Sequence, residues 1–283
     1  MKPYIIRELK EDEILRAIKV FLTAFGRTFY DQLEEEKKVW LYLINENIAR
    51  FLIALIDDRI IGAGGLFLYH DVASIGYMGV LPDYRSRGVG SALFKNLIQL
   101  SLNLDIKTII LYASKLGEPI YKKYGFQGSY YADMYFLPNQ FPNINMKEKD
   151  LREINYLPDW VINLDSEAMG FNRAQYLKAR LALGGKILVI ENEGYALVSK
   201  ILSQIRLGPL IANNLDAAIL LIKKSILLGA ENLIIPIHPN FQKKLFSILQ
   251  LSKRGEPNLK MFFGQELSDR LEFLYAIGTY GKG

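Results

Sequence analysis

Cysteine is absent from the 283 residues, which excludes a disulfide framework, a thiolate nucleophile and a cysteine-based metal site. Histidine occurs twice, at His70 and His238, too sparsely for a histidine-rich metal centre. No block of like charge exists either. The 35 Lys and Arg against 30 Asp and Glu leave a net +5 spread along the chain. Lys122-Lys123 and Lys243-Lys244 therefore read as solvated helix faces and not as a nucleic-acid footprint. Long apolar runs are missing as well: residues 60–81, an apolar stretch, carry His70 and Asp71 near their middle, which argues against a membrane span. Met1-Lys2-Pro3-Tyr4 lacks the apolar region of a signal peptide. Together these absences predict a cytoplasmic protein with neither nucleic acid nor membrane as partner.

What the chain does contain is the composition of a folded protein, 50% hydrophobic and 23% charged, over a length that accommodates two domains with a core each. Hydrophobic periodicity predicts helices over 13–24 and 33–48 and strands over 51–56, 59–68 and 73–80. A helix over 88–103, a strand over 108–113, a short helix and a strand over 126–137 follow. Leu137-Pro138-Asn139-Gln140-Phe141-Pro142-Asn143 then reads as a linker, dividing the chain into domains of residues 1–140 and 141–283. The second half repeats the order. Helices over 159–169 and 173–183 precede strands over 186–190, 195–202 and 204–212, then a helix over 215–228, a strand over 233–238, a helix over 240–249 and closing strands. Repeated order without residue identity suggests a duplicated fold.

One stretch carries more than structure. Val80-Leu81-Pro82-Asp83-Tyr84-Arg85-Ser86-Arg87-Gly88-Val89-Gly90 lies between an apolar strand and an apolar-periodic helix. Gly88 and Gly90 have no Cβ to hold a ligand off the backbone. The first helical N–H groups can point at an anion, in the positive end of the helix dipole. Arg85 and Arg87 add charge on the incoming arm, so the whole describes a pyrophosphate cradle. It is not a P-loop, because no lysine or threonine follows Gly90 at the required spacing. Nor is it a dinucleotide fingerprint, because Leu93 stands where a third small residue is needed.

These eleven residues resemble motif A of the GNAT N-acetyltransferases, Val-x-Pro-x-x-Arg-x-x-Gly-x-Gly. Tyr121-Lys122-Lys123-Tyr124-Gly125-Phe126 resembles that family's Tyr-x-x-x-Gly-Phe after the fifth strand. The resemblance covers residues 75–126 closely and residues 1–140 more loosely. It implies an α/β fold (α+β, GNAT-type) of two tandem domains, each a mixed, mostly antiparallel central sheet flanked by helices. It also implies acetyl-CoA as co-substrate, held by Met78, Val80, Arg85, Ser86, Arg87, Gly88, Val89, Gly90 and Ser91. The backbone N–H groups of Val80 and Met78 would face the thioester carbonyl, and Tyr121 would serve as acid to the leaving thiolate. The alternative for Tyr121 is a packing residue among 17 tyrosines, and Tyr124 reads as core or cofactor wall. The second half resembles the acetyltransferase-like domain fused behind GNAT domains, with Gly208-Pro209 at its turn. Asp165, Phe171 and Arg173 would fill that domain's Asp…Phe/Gly…Arg element. Residues 206–214 hold no Gly-x-Gly, and proline removes a donor, so this half is expected to cover the acceptor site without binding coenzyme A. The resemblance sets Asp165 and Arg173 beside the acceptor; an interhelical ion pair or helix cap is the alternative.

Acyl transfer to an amine needs a polarised carbonyl, a neutral amine, a stabilised leaving thiolate and exclusion of water. A lysine-like amine, with a pKa of about 10.4, needs a proton acceptor that an α-amine near about 8 needs less. Asp71 and Asp133 are the candidates, while Glu34, Glu35 and Glu36 read as a solvated helix face. With no cysteine to carry an acyl group, direct attack by the amine is favoured. The expectation is an acetyl-CoA-dependent N-acetyltransferase acting on a primary amine of a small molecule or a protein, with a homodimer left open. One alternative is a non-catalytic acyl-CoA-binding regulatory or interaction protein that keeps residues 85–90 but does not depend on Tyr121. Another is an aminoacyl transferase taking charged transfer RNA, which the intact cradle and mild charge disfavour.

Overall fold

The structure, a computed structural model, describes residues 3–27, 33–141, 149–237 and 242–281. Packing separates it into two compact units: Met1–Leu111 with Phe263–Gln265, and Tyr112–Phe262 with Glu266–Gly281. Among the described residues no helix is long and apolar enough to cross a membrane.

Unit 1 holds β1 (Ile5–Glu8), α1 (Ile14–Ala24), α2 (Leu33–Asn45), β2 (Ala49–Ile56), β3 (Arg59–Tyr69), β4 (Val72–Val80), α3 (Val89–Asn103) and the start of β5 (Thr108–Ala113). Strands β1 to β4 pair antiparallel in chain order, and β5 joins β4 in parallel. Helix α1 buries Ile14, Ala17, Ile18 and Leu22, the one-face spacing of an amphipathic helix. Helix α3 buries Val89, Leu93 and Leu97 against β3. It comes so close that a Cβ on Gly64 would lie 2.8 Å from Leu97 Cδ1 and 2.6 Å from Met78 Sδ.

Unit 2 contains α4 (Glu118–Lys123), β6 (Gln127–Phe136), β7 (Leu151–Ile154), α5 (Asp159–Met169), α6 (Ala174–Ala182), β8 (Lys186–Ile190), β9 (Gly194–Ile201) and β10 (Gln204–Ala212). It continues through α7 (Leu215–Leu227), β11 (Asn232–Pro236), α8 (Gln242–Ile248), β12 (Ser252–Gly264, up to Phe262) and β13 (Leu274–Ala276). Strands β7 to β10 again pair antiparallel in order, with β11 parallel to β10. Its core gathers Leu188, Leu210, Leu221 and Leu233. Both units therefore have a mixed, mostly antiparallel sheet flanked by helices.

Two features depart from the sequence reading. Strand β6, counted with the first half, pairs antiparallel with β11 and β12 inside unit 2, so packing divides the chain at Tyr112 and not at the proline-containing segment. The short strands β1 and β7 leave no trace in the hydrophobic pattern. Four residues with charged Arg7 and Glu8, or Arg152 and Glu153, carry no periodic apolar signal. His238, Pro142 and Asn143 lie outside the described residues.

Candidate functional site

The site in unit 1 begins with a break in β4. Its ladder with β3 runs Gly62↔Val80 and Ala63↔Gly79, then shifts register before Gly65↔Gly76. Gly64 thus faces both Tyr77 and Met78, a β-bulge, and Tyr77 takes the left-handed conformation at φ 57°. Such a conformation costs a non-glycine residue about 1–3 kcal/mol and needs support. Tyr77 has it: its ring packs 4.7 Å from Phe21, 5.4 Å from Trp40 and 5.6 Å from Phe67, centroid to centroid.

Parallel pairing with β5 covers Val72↔Thr108, Ala73↔Ile109 and Ser74↔Ile110, while β4 runs on to Val80. The direction of the amides on that uncovered edge follows from one hydrogen bond. Leu81 N donates to Ile61 O on β3 at 2.9 Å. Amides alternate along a strand, so Val80 N–H, next to Leu81, points away from β3. Val80 O lies on the same side and accepts from Arg85 Nε at 3.2 Å.

The turn that follows is built by its backbone. A 3-10 turn at Pro82–Tyr84 leads to Arg85, whose guanidinium donates to Val80 O and Ala24 O. Arg85 thus ties the arm to β4 and to the end of α1. The Arg87 guanidinium lies 5.6 Å from the Tyr84 ring centroid, as does that of Arg59, and both Ser86 and Arg87 are exposed. Ser86 and Gly88 are both left-handed, at φ 57° and 81°. Gly88 is the N-cap of α3 and offers no side-chain cap; Ala92 N donates to Gly88 O at 2.9 Å, which starts the helical ladder. Earlier amides of a helix have no partner within it. A Cβ on Gly90 would meet only Val80 Cγ2, at 3.6 Å, so protein leaves the space over this glycine clear. Donors without a cap and a clear approach to the backbone fit a pyrophosphate.

Tyr121 sits on α4 in unit 2, half-buried, and burial pushes its phenol above 10. Gly117 packs under the ring: a Cβ there would lie 2.9 Å from Tyr121 Cε2.

Three other assignments change. Asp71 precedes β4, so at roughly 3.3 Å per residue it lies more than about 20 Å from Met78 and Val80. Its carboxylate faces Lys107 at 3.6 Å instead of a site beside the bulge. Asp133 is buried, with Lys253 Nζ at 3.0 Å and Tyr135 OH donating to it at 3.3 Å. Asp165 and Arg173 have no exposed surface to offer an acceptor. They form a two-pronged pair, Arg173 Nε to Asp165 Oδ2 at 3.0 Å and Nη2 to Oδ1 at 2.9 Å, which Tyr195 OH completes. The ion-pair alternative describes them. Nearby in charge, Lys260 pairs with Asp269, and burial lowers the lysine while raising the carboxyl.

The corresponding turn of unit 2 is closed. Helix α7 is capped by Asn214, whose side chain accepts from Ala217 N at 2.9 Å. Pairing of β10 with β11 ends at Leu207↔Leu233, and β13 then lies against β10 at Leu210↔Ala276 and Ile211↔Leu274.

These features define a mixed-sheet domain with flanking helices, present twice and differing at the turn that opens α3 and α7. The sequence profile described as the acetyltransferase (GNAT) family matches residues 14–126, and that of the acetyltransferase (GNAT) domain matches residues 161–276. The chain belongs to the GNAT acetyltransferase family, with two such domains in tandem. It is 29% identical to a candidate acetyltransferase from Pyrococcus horikoshii, over 100% of this chain and 97% of that one, with a TM-score of 0.88. It is 27% identical to a candidate ribosomal protein bS18-alanine N-acetyltransferase of Bacillus subtilis (strain 168) over 32% of this chain and 66% of the relative. It is also 27% identical to the uncharacterized N-acetyltransferase YitH of the same organism, over 58% of this chain and 59% of the relative. The chain thus spans less than two thirds of the length of either Bacillus protein.

Proposed function

We propose that the protein is an acetyl-CoA-dependent N-acetyltransferase that binds one cofactor per chain through unit 1 and transfers the acetyl group to a primary amine. The observation that carries this reading is the coincidence of the uncovered β4 edge with the uncapped start of α3, both absent at the matching turn of unit 2. Bound acetyl-CoA supplies an acyl group activated as a thioester. The amides of residues 87–91 hold the pyrophosphate, with Arg87 adding charge. The N–H groups of Met78 and Val80 bind the acyl oxygen, fixed donors worth roughly a few kcal/mol each when well placed. Tyr121, kept protonated by burial, donates to the departing sulfur. The second profile match, without its own cradle, shapes the acceptor side. The acceptor is an amine of a small molecule or a protein, and the amine attacks directly in a cytoplasmic enzyme. Calorimetric titration with acetyl-CoA, followed by thiol release with an amine panel, tests the reading. Two sites per chain, or no binding, would overturn the cradle assignment; binding without turnover of any amine would make the protein a sensor.

A further inference from the structure

Of the three consecutive glutamates that open α2, two are exposed and one is not. Glu34 and Glu35 face solvent, whereas Glu36 is half-buried. Its Oε1 accepts from Trp40 Nε1 at 3.1 Å and from Tyr77 OH at 3.3 Å. Trp40 is fully buried and stacks on Phe51 at 3.9 Å, so the core fixes the carboxylate. Tyr77 is the bulge residue of β4, next in sequence to Met78. The wall continues through Phe21, 4.7 Å from the Tyr77 ring, to Phe25, which is 55% exposed.

Both donors to Glu36 are neutral, and among the described residues no cation pairs with it. A partly desolvated charge without a counter-ion is costly unless a ligand supplies one. Alkyl amines, with a pKa of about 10.4, arrive as ammonium ions. Aromatic faces beside a carboxylate add cation–π attraction for such an ion. From this geometry we infer that Glu36 is the residue that receives the acceptor's ammonium group, and that the acceptor carries this group next to an aromatic or bulky apolar moiety. The assignment rests on the acetyltransferase reading above and names its substrate class.

The test uses phenethylammonium as probe and 2-phenylethanol as its neutral counterpart, without coenzyme. Trp160→Phe leaves Trp40 as the remaining tryptophan of the two, and its fluorescence reports binding. A saturable change is expected with the ammonium. Glu36→Gln keeps an oxygen for both donors and should keep the parent Tm, yet should weaken ammonium binding by about tenfold or more, equivalent to about 1.4 kcal/mol. The alcohol should bind no better to the parent than the ammonium binds to Glu36→Gln. Equal ammonium affinity in the two proteins, equal affinity for ammonium and alcohol, or no saturable binding to the parent would each overturn the assignment. Calorimetry with coenzyme A is read separately: its failure overturns the cradle without moving the fluorescence result, and its success beside a failed discrimination overturns Glu36 alone.

Discussion

In unit 1, β4 hands over to α3 through two left-handed residues and a glycine N-cap; in unit 2, β10 hands over to α7 through Asn213 and Asn214. The first helix has at its N-cap Gly88, which offers no side chain to the amides, and the second has Asn214, bonded to Ala217 N. The strands differ in the same sense. Beyond Ser74 no strand registers against the β5 side of β4 among the described residues, while β13 takes over the edge of β10 where β11 leaves it. The helix start that has only a glycine in one half has an asparagine side chain in the other, and the strand edge left unpaired in one half is paired by a strand of three residues in the other. The same framework thus carries two different turns according to small local additions: in the second half an asparagine side chain and a short strand satisfy peptide groups that Gly88 and the β5 side of β4 leave to other partners.

The largest expected effect would come from filling the clear space of the first turn. Gly90→Val should lower acetyl-CoA affinity by about a hundredfold or more, about 2.7 kcal/mol, while melting is nearly unchanged, since only Val80 lies near the new Cβ. Unchanged affinity in calorimetry would break the comparison at its base. Next in size is Tyr121→Phe, which keeps the ring and should cost about tenfold in kcat with normal cofactor affinity. The sign of its pH dependence follows from the raised phenol: the proton is held below the shifted value, so the tyrosine should impose no alkaline fall in kcat below about pH 10. A tyrosine-dependent loss between about pH 7 and 9 would reject Tyr121 as the acid. Smallest is Asn214→Ala, expected to cost about 1 kcal/mol in denaturant melts and to leave one cofactor per chain, because β13 still covers β10. A second cofactor bound by that variant would show that the cap, and not the strand, closes unit 2.

The parts legible in the sequence were local. Helix α3 runs over 89–103 against the 88–103 expected, and β5 coincides at 108–113. The left-handed turn at Gly88 and the clear space over Gly90 were also legible, because a missing Cβ has a meaning that no distant residue alters. Non-local pairing was not legible: nothing in residues 127–136 states that they will pair with 232–236, and nothing in 274–276 states that they will cover β10. The bulge at Tyr77 depends on side chains from α1, α2, β2 and β3, so no single segment encodes it. Two further signals do lie in the sequence. Asp71 stands at the opening of β4 and Val80 at its close, which already separates them by the strand's length. Glu36 and Trp40 are four apart on one helix and therefore neighbours on its surface.

Unit 1 also includes Phe263–Gln265, where Thr108 Oγ1 donates to Gln265 O at 2.8 Å and Gln265 N to Lys107 O at 3.4 Å. The chain is synthesised from its N-terminus at about 5–20 residues per second, so β5 waits for residues made much later. Until they leave the ribosome, the outer side of β5 is a bare strand edge, the kind of surface that recruits other chains. A gene fragment stopping at residue 140 would make that interval permanent, and its product should be recovered chiefly from the insoluble fraction.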